Sequence, residues 1–426
     1  MIGINQIRIR AIQVSVALVI GCSTPVVDQS DSIPTNITYP YTLDLNAGIN
    51  NLEVFKLSQI ADSIVFIPLE TNSDILISEA GSIHIDHEDI ILGSQTGQTK
   101  SSIFRFDRRG KFLNTIGTLG RGPGEYLTSS FSVNTDKKRV VVFRYYTSRD
   151  FISFDYDGSY KGKLPIPLQT AMKFVITNND EIVVQPFGSF ISGYKTFDES
   201  LTLYAAYDST GRLLDSIPSP FLEKAHTLTN GTFLASQGGI SDFTFFNGRP
   251  IMAAQNHDTS YVLMEGSLRP AFILNRGELS PDYYQRYQIP PQNTHFLGGY
   301  SKYFETPLFV FRHLEMEGTR YVFRYDKITT EVNCVKFDNI AKSNGIYFYE
   351  NFGFIDDLSG GPHFYPVDTN KEGDIWIFSI SAMEFKRKYG MEQQLADGES
   401  IPPFSKERLE VANKIKDDDN PVIILV

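Results

Sequence analysis

The feature that most narrows the fold of this chain is a small cue that recurs along it: an alternating aromatic or apolar stretch, an aspartate, a short turn with a glycine, then a basic or aromatic residue. Phe104-Arg105-Phe106-Asp107 leads to Gly110-Lys111-Phe112. Phe151-Ile152-Ser153-Phe154-Asp155 leads to Gly158-Ser159-Tyr160, and the segment from Leu203 to Asp208 leads to Gly211-Arg212-Leu213. Aspartate hydrogen-bonds the local backbone and glycine takes positive φ cheaply, so each cue reads as a tight turn between two strands. The flanking aromatics alternate with polar residues, which puts one face of each sheet against a neighbouring sheet.

From about residue 60 such units follow one another every 40–60 residues, and six are counted. Their strands are expected at 64–69, 83–85, 90–92 and 104–107 for the first, and at 140–143 and 151–155 for the second. The third takes 174–176, 181–184 and 203–208, and the fourth 243–246, 251–254 and 260–263. The fifth takes 308–311, 321–326 and 332–337, and the sixth 363–365, 374–378 and 421–426. The expected class is all-β: a six-bladed β-propeller over residues 51–426 with a short C-terminal helical insertion. A ring of sheets leaves only short edges exposed. A pair of stacked sheets is the alternative, and the regular spacing of the turns argues against it. The last strand, 421–426, is expected either to complete the sixth blade or to pair beside the first strands and latch the ring. Helix formers fill 382–395 and 405–416, with Ser405 as an N-cap. Asp417-Asp418-Asp419 opposes the helix macrodipole and should end the second helix.

The start of the chain reads differently. Arg8 and Arg10 precede an apolar run from Ala11 to Ile20, too short to span a bilayer. The run ends in Leu18-Val19-Ile20-Gly21-Cys22, which resembles a bacterial lipobox. Residues 1–21 are therefore expected to be a lipoprotein signal peptide, with Cys22 the lipidated residue and 22–50 a flexible tether. An ordinary secretory signal with a chance cysteine is the plainer reading. The second cysteine, Cys334, sits in a strand pattern and is expected to be a buried small residue without a disulfide partner. The formal charge of -11 comes with no run of lysine or arginine, which disfavours nucleic-acid binding.

Two loops between units attract attention. Gly120-Arg121-Gly122-Pro123-Gly124-Glu125-Tyr126 has neither the Gly-Lys-Ser/Thr ending nor the following helix of a phosphate loop. Together with Gly110-Lys111-Phe112-Leu113 it resembles the signature of six-bladed β-propeller lipoproteins of Bacteroidetes, relatives of NHL-repeat propellers. Asp356-Asp357-Leu358-Ser359-Gly360-Gly361-Pro362 and Asp419-Asn420-Pro421-Val422 resemble two further signatures of that family. The resemblance spans about residue 40 to the end, and implies the fold and an outer-membrane, periplasmic or surface-facing location while implying little about activity.

Both loops join an outer strand to the next inner strand, so they should share a face of the ring. Arg121, Glu125 and Tyr126 would then meet Asp356, Asp357 and His363 at the channel mouth as a concave polar site for a small ligand. In the plainer reading Gly122-Pro123-Gly124 makes a tight crossing, Glu125 holds backbone amides and Tyr126 packs. Tyr126, Tyr145 and Tyr146 are candidate stacking platforms for a sugar. His84 and His87 lie three apart, but neither they nor His226, His257, His295, His313 and His363 form a ligand motif, so no cofactor is expected. The functional expectation is a lipid-anchored module that binds a glycan, a peptide or a protein partner. The alternative is a hydrolase or lyase using a divalent metal at the channel mouth. No Gly-x-Ser-x-Gly elbow and no catalytic cysteine setting is present in the sequence.

Overall fold

The alternating segments form antiparallel four-stranded sheets, six of which stand in a ring. The computed structural model describes residues 38–426 apart from 74, 78–79, 97–99, 145–149, 168–170, 172, 187–201, 219–240, 256, 282–294, 299–301, 339–340, 344–345, 349–351 and 392–400. Blade 1 runs from inner to outer strand as Ala80–Ile85, Asp89–Thr96, Lys100–Asp107 and Phe112–Thr115. Blade 2 is Phe131–Asn134, Arg139–Phe143, Phe151–Asp155 and Tyr160–Leu164, and blade 3 is Lys173–Ile176, Ile182–Gln185, Thr202–Tyr207 and Leu213–Pro218. Blade 4 is Asp242–Phe246, Arg249–Ala253, Thr259–Met264 and Ser267–Asn275. Blade 5 is Tyr303–Glu305, Phe309–Met316, Thr319–Asp326 and Val332–Phe337.

Blade 6 is built from both ends of the domain. Its inner strands are Asp368–Thr369 and Trp376–Ile380, its third is Val422–Leu425, and its outer strand is Val65–Pro68. The C-terminal strand therefore does both things expected of it: it pairs with Trp376–Ile380 and with Val65–Pro68, antiparallel in each case. The strand expected at 64–69 thus leaves the first unit and closes the last. Asn420 fastens this closure. Its Oδ1 accepts from the Ile77 amide at 2.8 Å, and its Nδ2 donates to the carbonyls of Glu70 at 2.6 Å and Ile75 at 3.0 Å.

The recurring aspartate turns are superposable in their bonding. The amides of Gly110, Gly158 and Gly211 each donate to the carbonyl of the aspartate three residues earlier, Asp107, Asp155 and Asp208, at 3.0 Å. These glycines have φ of 82°, 89° and 84°. They also press on the preceding blade: a Cβ at Gly110 would lie 2.2 Å from the Pro68 carbonyl oxygen, and one at Gly211 1.9 Å from that of Pro165. Glycine is required there twice over, by conformation and by close approach.

The sheets pack on both faces. Val140 and Val142 join Ile91 and Ile103 of blade 1, whereas Val141 and Phe143 join Phe174 and Ile176 of blade 3. That is why the middle strand of blade 2 reads as the unbroken apolar run Val140-Val141-Val142-Phe143, and why one packed face per sheet is too few. Each fully buried side chain of this size contributes roughly 1.5–3 kcal/mol relative to exposure. Cys334 is buried in the outer strand of blade 5, and burial pushes its thiol up to about 12.

Two expected boundaries move. Tyr41–Asp44 pairs in parallel with Ser267–Asn275 at the outer edge of blade 4, so part of the segment assigned to the tether belongs to the propeller. It is followed by helix α1 (Leu45–Gly48), with Leu43 and Leu45 in the core. The C-terminal insertion is α2 (Ala382–Tyr389), capped by Ser381, and α3 (Ser405–Lys414). Ser405 is the first helical residue of α3, not its cap; its hydroxyl donates back to the Pro402 carbonyl at 2.8 Å. The expected signal peptide and Cys22 lie outside the described residues. Among the described residues no helix is long and apolar enough to cross a membrane.

Candidate functional site

The six inner strands surround a cavity of about 310 Å³ on the ring axis. Every blade contributes to its wall: His84 from blade 1, Ser132 from blade 2, Lys173 from blade 3, Asp242 from blade 4, Lys302 just before blade 5, and Asp368 with Lys371 from blade 6. The volume sits at the lower end of the roughly 300–1,000 Å³ typical of small-molecule sites.

The ionisable groups fall in two tiers, set by where they sit on the inner strands. Lys173, Asp242, Lys302 and Asp368 lie at the strand starts. Asp242 Oδ1 is 3.5 Å from Lys173 Nζ and 3.6 Å from Lys302 Nζ. Lys302 Nζ also donates to the Val367 carbonyl at 2.6 Å. Burial alone would push the Asp242 carboxyl up, but Lys302, Lys173 and the deeply buried Arg312 together hold it below the usual carboxylate range. Asp368 goes the other way: burial raises it to about 6 against the opposing pull of Lys302.

The second tier closes the channel. Lys371 follows the inner strand of blade 6 and is 3% exposed. Its ammonium donates to the Ile176 carbonyl at 2.8 Å and to Asn178 Oδ1 at 2.9 Å, both on blade 3, diametrically opposite in a ring of six. The ammonium also lies 5.1 Å from the centroid of the Phe245 ring. The amides of Asn247 and Gly248 on blade 4 donate to the carbonyls of Glu372 and Lys371. This 370–374 turn fits because Gly373 carries no side chain; a Cβ there would meet Phe246 Cδ2 at 2.8 Å. The channel is therefore blind at one end. Burial lowers Lys371 to about 7, against Glu372, Asp136 and Asp180. Burial also pushes His84 down, despite Asp86 at 3.8 Å from its Nε2.

The family described as a domain of unknown function, DUF4934, matches residues 40–426, which is the propeller with its added edge strand. The chain belongs to the DUF4934 family. A candidate exported protein of Bacteroides fragilis, 17% identical, superposes with a TM-score of 0.59 over 90% of this chain and 98% of that one, and shows the same fold. The β-propeller domain of the Trilobed protease of Pyrococcus furiosus (9% identical, TM-score 0.30, 63% and 90% covered) is similar only loosely. So is an auxiliary nutrient binding protein of Bacteroides ovatus (10% identical, TM-score 0.27, 61% and 57% covered). No curated protein matches the sequence.

In this DUF4934 chain the residues expected at the channel mouth are placed elsewhere. Tyr126 is fully buried between blades 1 and 2; its hydroxyl donates to the Ile116 carbonyl at 2.6 Å and accepts from the Ile103 amide at 3.1 Å. Glu125 accepts from the Gly122 amide at 2.6 Å, inside its own loop. Arg121 is exposed on that loop, which Arg144 braces by donating to the Gly122 carbonyl at 3.0 Å. Asp356 is buried, accepting from the amides of Ser359 at 2.7 Å and Gly361 at 3.1 Å. The α3 residue Arg408 pins the same loop through the Ser359 carbonyl at 2.9 Å. Asp357 takes both the amide and the hydroxyl of Ser58, at 3.0 and 2.6 Å. His363 is partly buried on the approach to blade 6 and is not part of the cavity wall. The two loops share a face by topology, but Glu125 and Asp356 bind their own loop backbones, Tyr126 and Asp357 bind strand and helix residues elsewhere, and the wall of the cavity comes from the inner strands. Tyr145, Tyr146 and His226 lie outside the described residues.

Among the described residues no group of three His, Cys, Asp or Glu side chains is disposed to hold a metal ion. The lysines and aspartates of the DUF4934 channel carry no sequence motif. The one signal that could have found them is a charged residue at the start of an otherwise apolar inner strand, as in Lys173-Phe174-Val175-Ile176 and Asp242-Phe243.

Proposed function

We propose that this chain is a binding module of the cell envelope, held to a membrane by acyl groups on Cys22, which takes a small polar ligand such as a glycan unit into the blind channel of its propeller. The observation that carries the reading is the convergence of Lys173, Asp242, Lys302 and Asp368 from four blades on one cavity. Burying ionisable groups costs a fold stability, and their accumulation from four blades around one cavity, with Asp368 raised by burial, points to function over packing. The signal-like segment 1–21 and Cys22 support an envelope location.

The test is calorimetric titration of the purified propeller with a panel of neutral and acidic mono- and disaccharides and short peptides. Ser130→Trp, at the cavity wall, should fill the space and abolish binding of any ligand found. A panel without a binder, or a ligand that binds the filled variant equally well, would overturn the channel as the site.

A further inference from the structure

We infer that the channel selects a ligand bearing a single negative charge, a carboxylate, seated between Lys173 and Lys302 with the rest of a small polar molecule in the blind cavity. The inference rests on the reading of the channel as a binding site and adds the ligand's chemical class. The chain as a whole is acidic, with a formal charge of -11, yet its axial cavity is lined by three lysines and two aspartates. With Lys371 bonded at the closed end, the groups left at the seat are Lys173 and Lys302, with the buried Arg312 behind them, against Asp242 and Asp368, a surplus of one positive charge that a monoanion would neutralise. Arg312, buried close to Asp242, already compensates that carboxylate from outside the cavity wall.

The two lysines are only loosely held by their counterion. At 3.5 and 3.6 Å from Asp242 Oδ1 their ammoniums stand well beyond the roughly 2.7–2.9 Å of a charge-assisted bond. Both approach the same oxygen, so the ammoniums are no farther apart than those two distances end to end. Lys173 spends its remaining neighbourhood against the Phe243 ring, 5.9 Å from the centroid. Each ammonium carries three donors, of which Lys302 spends one on the Val367 carbonyl, and two adjacent cations in a polar cavity suit an anion that inserts between them. Lys371 cannot take this role, because its ammonium is held by Ile176 and Asn178 at the closed end.

The experiment titrates the wild-type propeller with acetate, glucuronate, glucose and inorganic phosphate at pH 7, and repeats it with Lys302→Gln and Lys173→Gln. The expected result is that glucuronate binds at least tenfold more tightly than glucose, and that each variant loses roughly tenfold or more in glucuronate affinity. In both variants glucose affinity should fall far less than glucuronate affinity, a split that mere loosening of the fold would not produce. Equal binding of glucose and glucuronate, phosphate outbinding both carboxylates, or unchanged affinity in the two variants would overturn the inference and leave the channel as a binding site. Failure of both carboxylates while a neutral sugar binds does the same. Failure of every probe here, together with a silent ligand panel, removes the channel reading as well.

Discussion

The ammonium of Lys371 on blade 6 donates to the carbonyl oxygen of Ile176 on blade 3 at 2.8 Å, a bond thrown across the axis of the ring. A six-bladed ring keeps opposite blades apart, so only a long side chain can make this link, and making it means burying a charge. The bond shuts one end of the channel and ties the first half of the domain to the last.

Lys371 should leave a pH signature. Its ordinary value of 10.5 is lowered by burial to about 7 in the fold. Between about pH 7 and pH 10.5 the unfolded chain holds a proton that the folded one has lost, so this group makes stability rise with pH across that window. Below pH 7 both states are protonated and the burial penalty is present in full. Urea unfolding at pH 7 and pH 9 should show wild type gaining stability relative to Lys371→Met, in which the difference between the two pH values shrinks.

Asp368 has the opposite sign. Burial raises it from 3.8 to about 6, against Lys302 of blade 5 and Lys173 of blade 3, with Asp242 of blade 4 adding its own negative charge. The folded state keeps a proton that the unfolded one releases, so the contribution is favourable below pH 3.8 and is lost as pH rises through 6. Protonated Asp368 also leaves the channel more positive. Glucuronate, still ionised at pH 5, should bind more tightly at pH 5 than at pH 7.5, and Asp368→Asn should reduce that dependence in calorimetry to the part that Lys371 supplies in the same window.

Asn420 is the clamp of the ring closure. Replacing it with alanine leaves the Ile77 amide and the carbonyls of Glu70 and Ile75 without their partner in a buried site. The expected loss is about 3 kcal/mol in denaturant unfolding, given 1–3 kcal/mol for each group left unsatisfied.

Gly211→Ala and Gly248→Ala separate two reasons for a glycine. Both have positive φ, 84° and 69°. A Cβ at Gly211 would meet the Pro165 carbonyl at 1.9 Å, whereas nothing lies within 4 Å of one at Gly248. Both should destabilise, Gly248→Ala by about 1 kcal/mol and Gly211→Ala by clearly more, as read from unfolding midpoints.

Cys22→Ser should move the protein from the membrane to the soluble fraction of cells. Mass spectrometry of the wild-type mature N-terminal peptide should find acyl chains on a residue that was position 22.

The blades were legible because their determinants are local. Asp107 with Gly110, Asp155 with Gly158 and Asp208 with Gly211 announce turns within five residues, and the strands beside them alternate or run apolar. The channel was not legible, since Lys173, Asp242, Lys302 and Asp368 stand 60 or more residues apart along the chain and belong to four different blades. Tyr126 and Asp356 misled for a related reason. A polar tip on a glycine-rich loop looks the same in sequence whether it faces a ligand or, as here, the Ile116 carbonyl and the Ser359 amide.

Sequence by itself determined the strand content, the turn chemistry and the number of sheets, because the period of side chains along a strand and the backbone demands of a turn act over a few residues. Tertiary structure alone decided that Val65–Pro68 completes the last blade, that Lys371 spans the axis, and that three lysines and two aspartates meet in one cavity. The physical reason is closure: a ring brings one residue from each distant strand to a common axis, and no short stretch of chain carries a record of which residues those are.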